Sequence, residues 1–166
     1  MILSRSAMLL NICCVILLLV TCLSCSEDSD NPKYTSLPPQ FSHVETNNLD
    51  GDSTLRVGER IIFTAVQSKK GKLLYKATYN WGNKKGDATH SFTENVIYDN
   101  NPANPTDTIV FANPGTYTIT LNAKYHISGN YDNINRTEMW EDGRVTYSTP
   151  SWQYYMVDIE KKVVVY

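Results

Sequence analysis

The stretch Gly115-Thr116-Tyr117-Thr118-Ile119-Thr120-Leu121-Asn122-Ala123-Lys124-Tyr125 decides the fold class. On an extended chain, Tyr117, Ile119, Leu121, Ala123 and Tyr125 share one face, and Thr116, Thr118, Thr120, Asn122 and Lys124 share the other. A period of two carried by β-branched and aromatic residues marks a half-buried strand. Asn113-Pro114-Gly115 in front of it is turn chemistry, because proline presets one turn dihedral and glycine accepts conformations closed to other residues.

The same pattern recurs on both sides. In Lys72–Trp81 the residues Leu73, Tyr75, Ala77, Tyr79 and Trp81 alternate with Lys76, Thr78 and Asn80. Arg60–Val66 is apolar on both faces, which predicts a central strand. Lys69-Lys70-Gly71-Lys72 is the polar turn between them. Shorter strands are expected at Ser42–Thr46, Thr54–Val57, Ser91–Tyr98 and Asp107–Phe111, and a last one in Trp152–Val165 with a bend near Glu160-Lys161-Lys162. No stretch has a helical period; Thr137–Asp142 is expected to make one helical turn that Gly143 closes. Seven to nine short strands separated by turns predict an all-β sandwich.

Three motifs carry a family resemblance. Val57-Gly58-Glu59 precedes a strand, Tyr79-Asn80-Trp81 lies in the next long strand, and Pro114-Gly115-Thr116-Tyr117-Thr118-Ile119-Thr120-Leu121 opens another. Together they resemble the polycystic-kidney-disease-type (PKD) domain over roughly residues 40–125. The family's usual Phe-Gly-Asp-Gly is replaced here by Gly82-Asn83-Lys84-Lys85-Gly86-Asp87, and a polar stretch, Ser128–Gly143, is inserted before the last strand. The resemblance implies an immunoglobulin-like sandwich that recognises or spaces rather than catalyses.

The first residues set an address. Arg5 is followed by an apolar run from Ala7 to Leu23, then Leu23-Ser24-Cys25-Ser26-Glu27-Asp28. A basic start, an apolar middle and a small residue before a cut describe a secretory signal. With cysteine after the small residue, the segment resembles a bacterial lipoprotein signal. It implies cleavage after Ser24, lipidation of Cys25, and attachment to the outer membrane through that lipid. The box departs from the usual one in placing Cys22, not leucine, three residues before Cys25. The acidic run Ser26–Asp30 resembles the tract behind the lipidated cysteine in surface-exposed lipoproteins of the Bacteroidota. The expected organisation is a signal peptide at 1–24, a flexible tether at 25–40 and the sandwich at 41–166.

This address fixes the cysteine chemistry. All four cysteines lie within the first 25 residues. After cleavage only Cys25 remains, its sulfur occupied by lipid, so the fold must stand without disulfides or thiolate metal sites. Loss of Arg5 leaves 14 basic against 17 acidic residues, a net charge of −3. No basic stripe marks the chain, which argues against a nucleic-acid partner.

Catalytic patterns are equally sparse. His43, His90 and His126 fall in separate segments without metal-ligand spacing, so no zinc site is expected. There is no nucleophile elbow and no phosphate loop. Glu138, Glu141 and Asp142 surround Trp140, but glycoside hydrolysis needs two carboxylates facing across a cleft, not three on one loop. Asp99-Asn100-Asn101 and Asn130–Asn133 are oxygen-rich but lack an ordered calcium-loop spacing. No cofactor is expected. Asp52-Ser53-Thr54 and Asp107-Thr108-Ile109 resemble the O-glycosylation sequon of the Bacteroidota.

The aromatic residues are the functional candidates. Trp140, Tyr147, Trp152 and Tyr154 cluster in sequence around the insertion and the segment after Pro150, where an exposed ring offers a stacking platform to a sugar or an anchor to a protein. The sequence therefore predicts a surface lipoprotein with a non-catalytic ligand-binding module and a glycan as candidate ligand. The alternative is a structural or protein-interaction subunit of an outer-membrane complex. Exposure of Trp140 and Trp152 discriminates between the two.

Overall fold

A computed structural model describes residues 33–48, 54–85, 88–97 and 103–166, with 85 and 88–97 described by backbone alone. The expected signal peptide, Cys25 and the acidic run lie outside the described residues, as do Asp52, Ser53 and Asp99–Asn101. Among the described residues no helix is long and apolar enough to cross a membrane.

Among the described residues, eleven strands lie in the unit Lys33–Tyr166. They are β1 Thr35–Ser36, β2 Gln40–Asn48, β3 Arg60–Lys69, β4 Leu74–Lys85, β5 Ala88–Ile97, β6 Thr106–Val110, β7 Gly115–Ile127, β8 Asn130–Tyr131, β9 Asn135–Met139, β10 Gly143–Ser151 and β11 Tyr154–Val165. The order β2-β3-β6 makes one sheet, and β5-β4-β7-β11-β10-β9 makes a six-stranded one. All pairs within both are antiparallel. A parallel pair, β1 with β8, stands apart.

The two large sheets pack face to face, as a sandwich predicts. Phe41, Val44, Ile61, Phe63, Ala65 and Ile109 come from the smaller sheet and meet Ala77, Tyr79, Trp81, Ile119, Leu121, Val145 and Val157 from the larger. Phe111 sits on the crossing from β6 to β7, with its ring 6.4 Å from Phe63 and 4.5 Å from Tyr117 between centroids. The alternation in Gly115–Tyr125 is realised in full: all five apolar positions are buried. β3 is the middle strand of its sheet, as its two apolar faces require.

Four local expectations are corrected. Thr54–Val57 is not a strand; Leu55 makes one parallel bridge to Val165. The last strand does not bend at Glu160-Lys161-Lys162: β11 stays in register with β7 from Tyr154 to Val165. The reason is Lys161. It shares the inward parity of Ile159 and Val163, its side chain is only 12% exposed, and its ammonium meets the Asp142 carboxylate in the turn before β10. A partnered lysine can occupy a core-facing position at a sheet end by running its stem along apolar surface. Thr137–Asp142 is not a helical turn either. Asn135–Met139 extends as β9, because its backbone pairs with β10 from Asn135↔Ser148 to Met139↔Arg144. Lastly, the tether stops short of residue 40. Ser36 is fully buried; its hydroxyl donates to the Leu73 carbonyl at 2.8 Å and accepts the Gly129 N–H at 3.0 Å.

Two tyrosine hydroxyls fasten this N-terminal segment to the large sheet. The Tyr147 hydroxyl accepts the Phe41 N–H at 2.9 Å, and the Tyr155 hydroxyl donates to the Ser36 carbonyl at 2.7 Å. Both bonds are buried, and a buried N–H left without an acceptor costs about 1–3 kcal/mol. Tyr147→Phe is therefore expected to lower unfolding stability by roughly that amount. Urea titration checks it; a midpoint equal to wild type would show that the bond contributes nothing.

Candidate functional site

The four aromatic candidates do not form one surface. Trp140 lies in the β9–β10 turn and Trp152 in the β10–β11 turn, so they occupy opposite ends of β10. Nine strand residues separate those ends by about 30 Å at the ordinary rise of a strand. Tyr147 faces inward from the middle of β10 and is wholly buried, with the Arg136 guanidinium 4.6 Å from its ring centroid. It serves the core and the Phe41 bond, and no face of it meets solvent.

Trp140 is half-buried and packs against the core. Its N–H donates to the Gly143 carbonyl at 2.9 Å, closing a two-residue turn at Glu141-Asp142. Beside it opens a groove of about 310 Å³, lined by Met139, Trp140, Glu141, Arg144, Glu160 and Lys162 among others. Arg144 and Glu160 pair across the strands at 2.9 Å, and Arg136 pairs with Glu138 at 3.1 Å. The carboxylates around Trp140 are thus spread over β9, the turn and β11, each beside a cation or in the groove wall.

The other end carries the aromatic surface. Trp152 is 67% exposed at the tip of the β10–β11 hairpin. One residue beyond that turn, Tyr154 begins β11 and pairs with His126 on β7, which pairs in turn with Lys76 on β4. These positions point away from the core, since their neighbours Tyr155, Tyr125 and Ala77 point into it. A register shift between Leu74 and Lys76 releases Tyr75 from the ladder and leaves its ring 48% exposed. The result is a row of three rings across three adjacent strands. Tyr75 and His126 stand 5.5 Å apart and His126 and Tyr154 6.0 Å apart, between centroids. The Lys124 ammonium sits 4.6 Å over the Tyr154 ring, a cation–π distance.

Sequence reasoning named Tyr154 and Trp152 but missed Tyr75 and His126. The signal for His126 was the parity of β7 continued one step past Tyr125. The signal for Tyr75 was absent, because the alternation placed it inward with Leu73 and only the shift in register turns it out.

Among the described residues no group of three or more His, Cys, Asp or Glu side chains gathers around one point. His43 is exposed on β2, with Nε2 3.5 Å from a Glu45 oxygen. Asn130 and Tyr131 form β8 beside the N-terminal segment. Thr108 lies in β6, its N–H bonded to the Asp107 side chain at 2.7 Å. No protein-family model matches the chain, and neither a curated protein nor a solved structure matches it.

The electrostatics of the row follow from its position. Partial burial lowers the pKa of His126, and the ammoniums of Lys76 and Lys124 lower it further. The imidazole is therefore neutral at pH 7 and an acceptor at one nitrogen. Because the unfolded chain takes up this proton first, the contribution of His126 to stability is full above about pH 6.5 and is lost as the pH falls below it. A proton NMR titration is expected to place the His126 midpoint below 6.5, the ordinary imidazole value. A midpoint at or above that value would remove the two lysines from its surroundings.

Proposed function

We propose that the chain is a lipoprotein of the bacterial outer membrane, anchored through Cys25 and displayed at the surface. Its PKD-like sandwich serves as a non-catalytic module that binds a glycan. The observation that carries the binding reading is the Tyr75–His126–Tyr154 row with exposed Trp152 in the adjoining hairpin. The rings are inclined to their neighbours, Tyr75 to His126 by 50° and His126 to Tyr154 by 53°, so each offers its own apolar surface to a sugar, while tyrosine hydroxyls and lysines supply polar contacts at the rims. The immunoglobulin-like assignment draws support from strand order. β2-β3-β6 and β5-β4-β7-β11 follow the A-B-E and C′-C-F-G wiring of such sandwiches, with β9 and β10 added beyond the last strand. The anchor rests on the Ser24-Cys25 motif and the acidic run behind it.

The test is binding of the full chain, in detergent micelles, to a glycan panel. Each of Tyr154→Ala and Trp152→Ala is expected to weaken binding about three- to tenfold, the worth of one aromatic contact. Met139→Ser, at the far end of the sheet, is expected to leave it unchanged. Binding that survives both aromatic substitutions would place the site elsewhere.

One observation favours the second reading, a protein-interaction subunit. β9 is an edge strand, and all five of its residues are exposed. The Trp140-to-Gly143 bond fixes the phase of the β9–β10 ladder, so Asn135, Thr137 and Met139 turn their N–H and C=O groups toward the open side. Such an edge accepts an added strand. Thr137→Pro removes an outward N–H without touching the β10 ladder. Under this reading it abolishes crosslinking of β9 to a membrane partner while far-UV dichroism is retained; crosslinking that persists in the variant rules out strand addition at β9.

A further inference from the structure

Among the described side chains, the outer face at the aromatic end carries lysines. Two register rows cross the large sheet there. The first runs Lys76, His126, Tyr154; the second runs Thr78, Lys124, Met156, Ser148. These rows hold two ammoniums and no carboxylate on β4, β7, β11 or β10. Asp158 sits one row further along β11 and accepts a hydrogen bond from the Asn122 amide across the ladder. The acidic side chains of the sheet concentrate at the opposite end, where Glu141, Asp142 and Glu160 surround Trp140. In a chain with more acidic than basic residues, the described side chains of these two rows thus include two lysines and no carboxylate.

We propose that the aromatic row binds an anionic glycan, one whose sugar rings carry carboxylate or sulfate groups. The inference rests on the platform reading above and names its ligand class. The rings stack on the sugar faces, and Lys76 and Lys124 meet the anionic substituents from β4 and β7. Lys124 lies over one face of the Tyr154 ring, so its ammonium is held within the platform, and a sugar meets that ring on its open face or edge. Burial lowers the affinity of His126 for its proton, and both lysines lower it further. A bound anion opposes that effect, so a proton on His126 and the ligand favour each other.

Two matched pairs of probes test this with the full chain in detergent micelles: an oligogalacturonide against its methyl ester, and a sulfated oligosaccharide against its desulfated form. The preferred anion is expected to bind about tenfold more tightly than its neutral partner, as two charge contacts near a protein surface allow. The preference is expected to fall below about threefold in Lys76→Gln/Lys124→Gln and to shrink with added salt, since surface charge contacts are screened. The pair that shows the preference identifies the anionic group. Equal binding of charged and neutral members, or a preference that survives the double substitution, overturns the anionic class while leaving the platform intact. Binding to neither charged nor neutral members overturns the platform reading and the anionic class with it.

Discussion

The pairing of β11 with β7 is the constraint on which the rest of the structure hangs. It runs in unbroken antiparallel register from Tyr154↔His126 to Val165↔Gly115. Because side chains alternate with a period of two, this register settles which of each neighbouring pair of residues enters the core. Tyr155 and Tyr125 go inward together, and Tyr154 and His126 go outward together. A slip by one residue would bury the platform and expose the core. The buried hydroxyl bond from Tyr155 to Ser36 holds the same register from the inner side, so the aromatic face and the closure of the N-terminal segment depend on a single alignment.

Register also explains which features the sequence disclosed. Tyr117, Ile119, Leu121, Ala123 and Tyr125 announce a strand through local periodicity alone, and the structure buries every one of them. Which strand lies beside β7 is a different kind of information. Nothing local states that Tyr154, 28 positions beyond His126 in the chain, stands next to it. The platform is assembled from β4, β7 and β11, so its membership is set by long-range pairing and was legible only in its two members near the hairpin. Tyr147 shows the converse. By composition it matched Tyr154, yet it sits on the inward parity of β10, where a hydroxyl can reach the Phe41 N–H.

The misread segments share a physical cause. Glu160-Lys161-Lys162 and Asn135–Met139 are polar, and polarity in a short run suggests a loop or turn. Both are strands, because backbone pairing with a neighbour overrides side-chain character when each charge has an outlet. Lys161 finds Asp142, Arg144 finds Glu160, and Arg136 finds Glu138. On β9 the exposed polar residues also fit an edge position, where charges discourage indiscriminate strand addition. The expected insertion at Ser128–Gly143 is therefore an extension of the sheet by an edge strand rather than a loop laid over it.

That extension separates two ends of one surface. Trp140 closes a turn whose floor is packed core, and the position of Gly143 explains why the turn is so tight: a β-carbon there would collide with the Glu160 carbonyl. Its indole is committed to structure on one side and to a charged groove on the other. The Tyr75–His126–Tyr154 row is tied within itself, Tyr75 to His126 and Lys124 over Tyr154, and its rings are fixed by strand pairing rather than carried on a loop. A platform built into a ladder loses little conformational freedom when a ligand arrives, which lowers the cost of ordering the site. Among the described side chains, Lys76 and Lys124 stand among these rings, Asp158 lies one row further along β11, and Glu141, Asp142 and Glu160 line the groove at the other end.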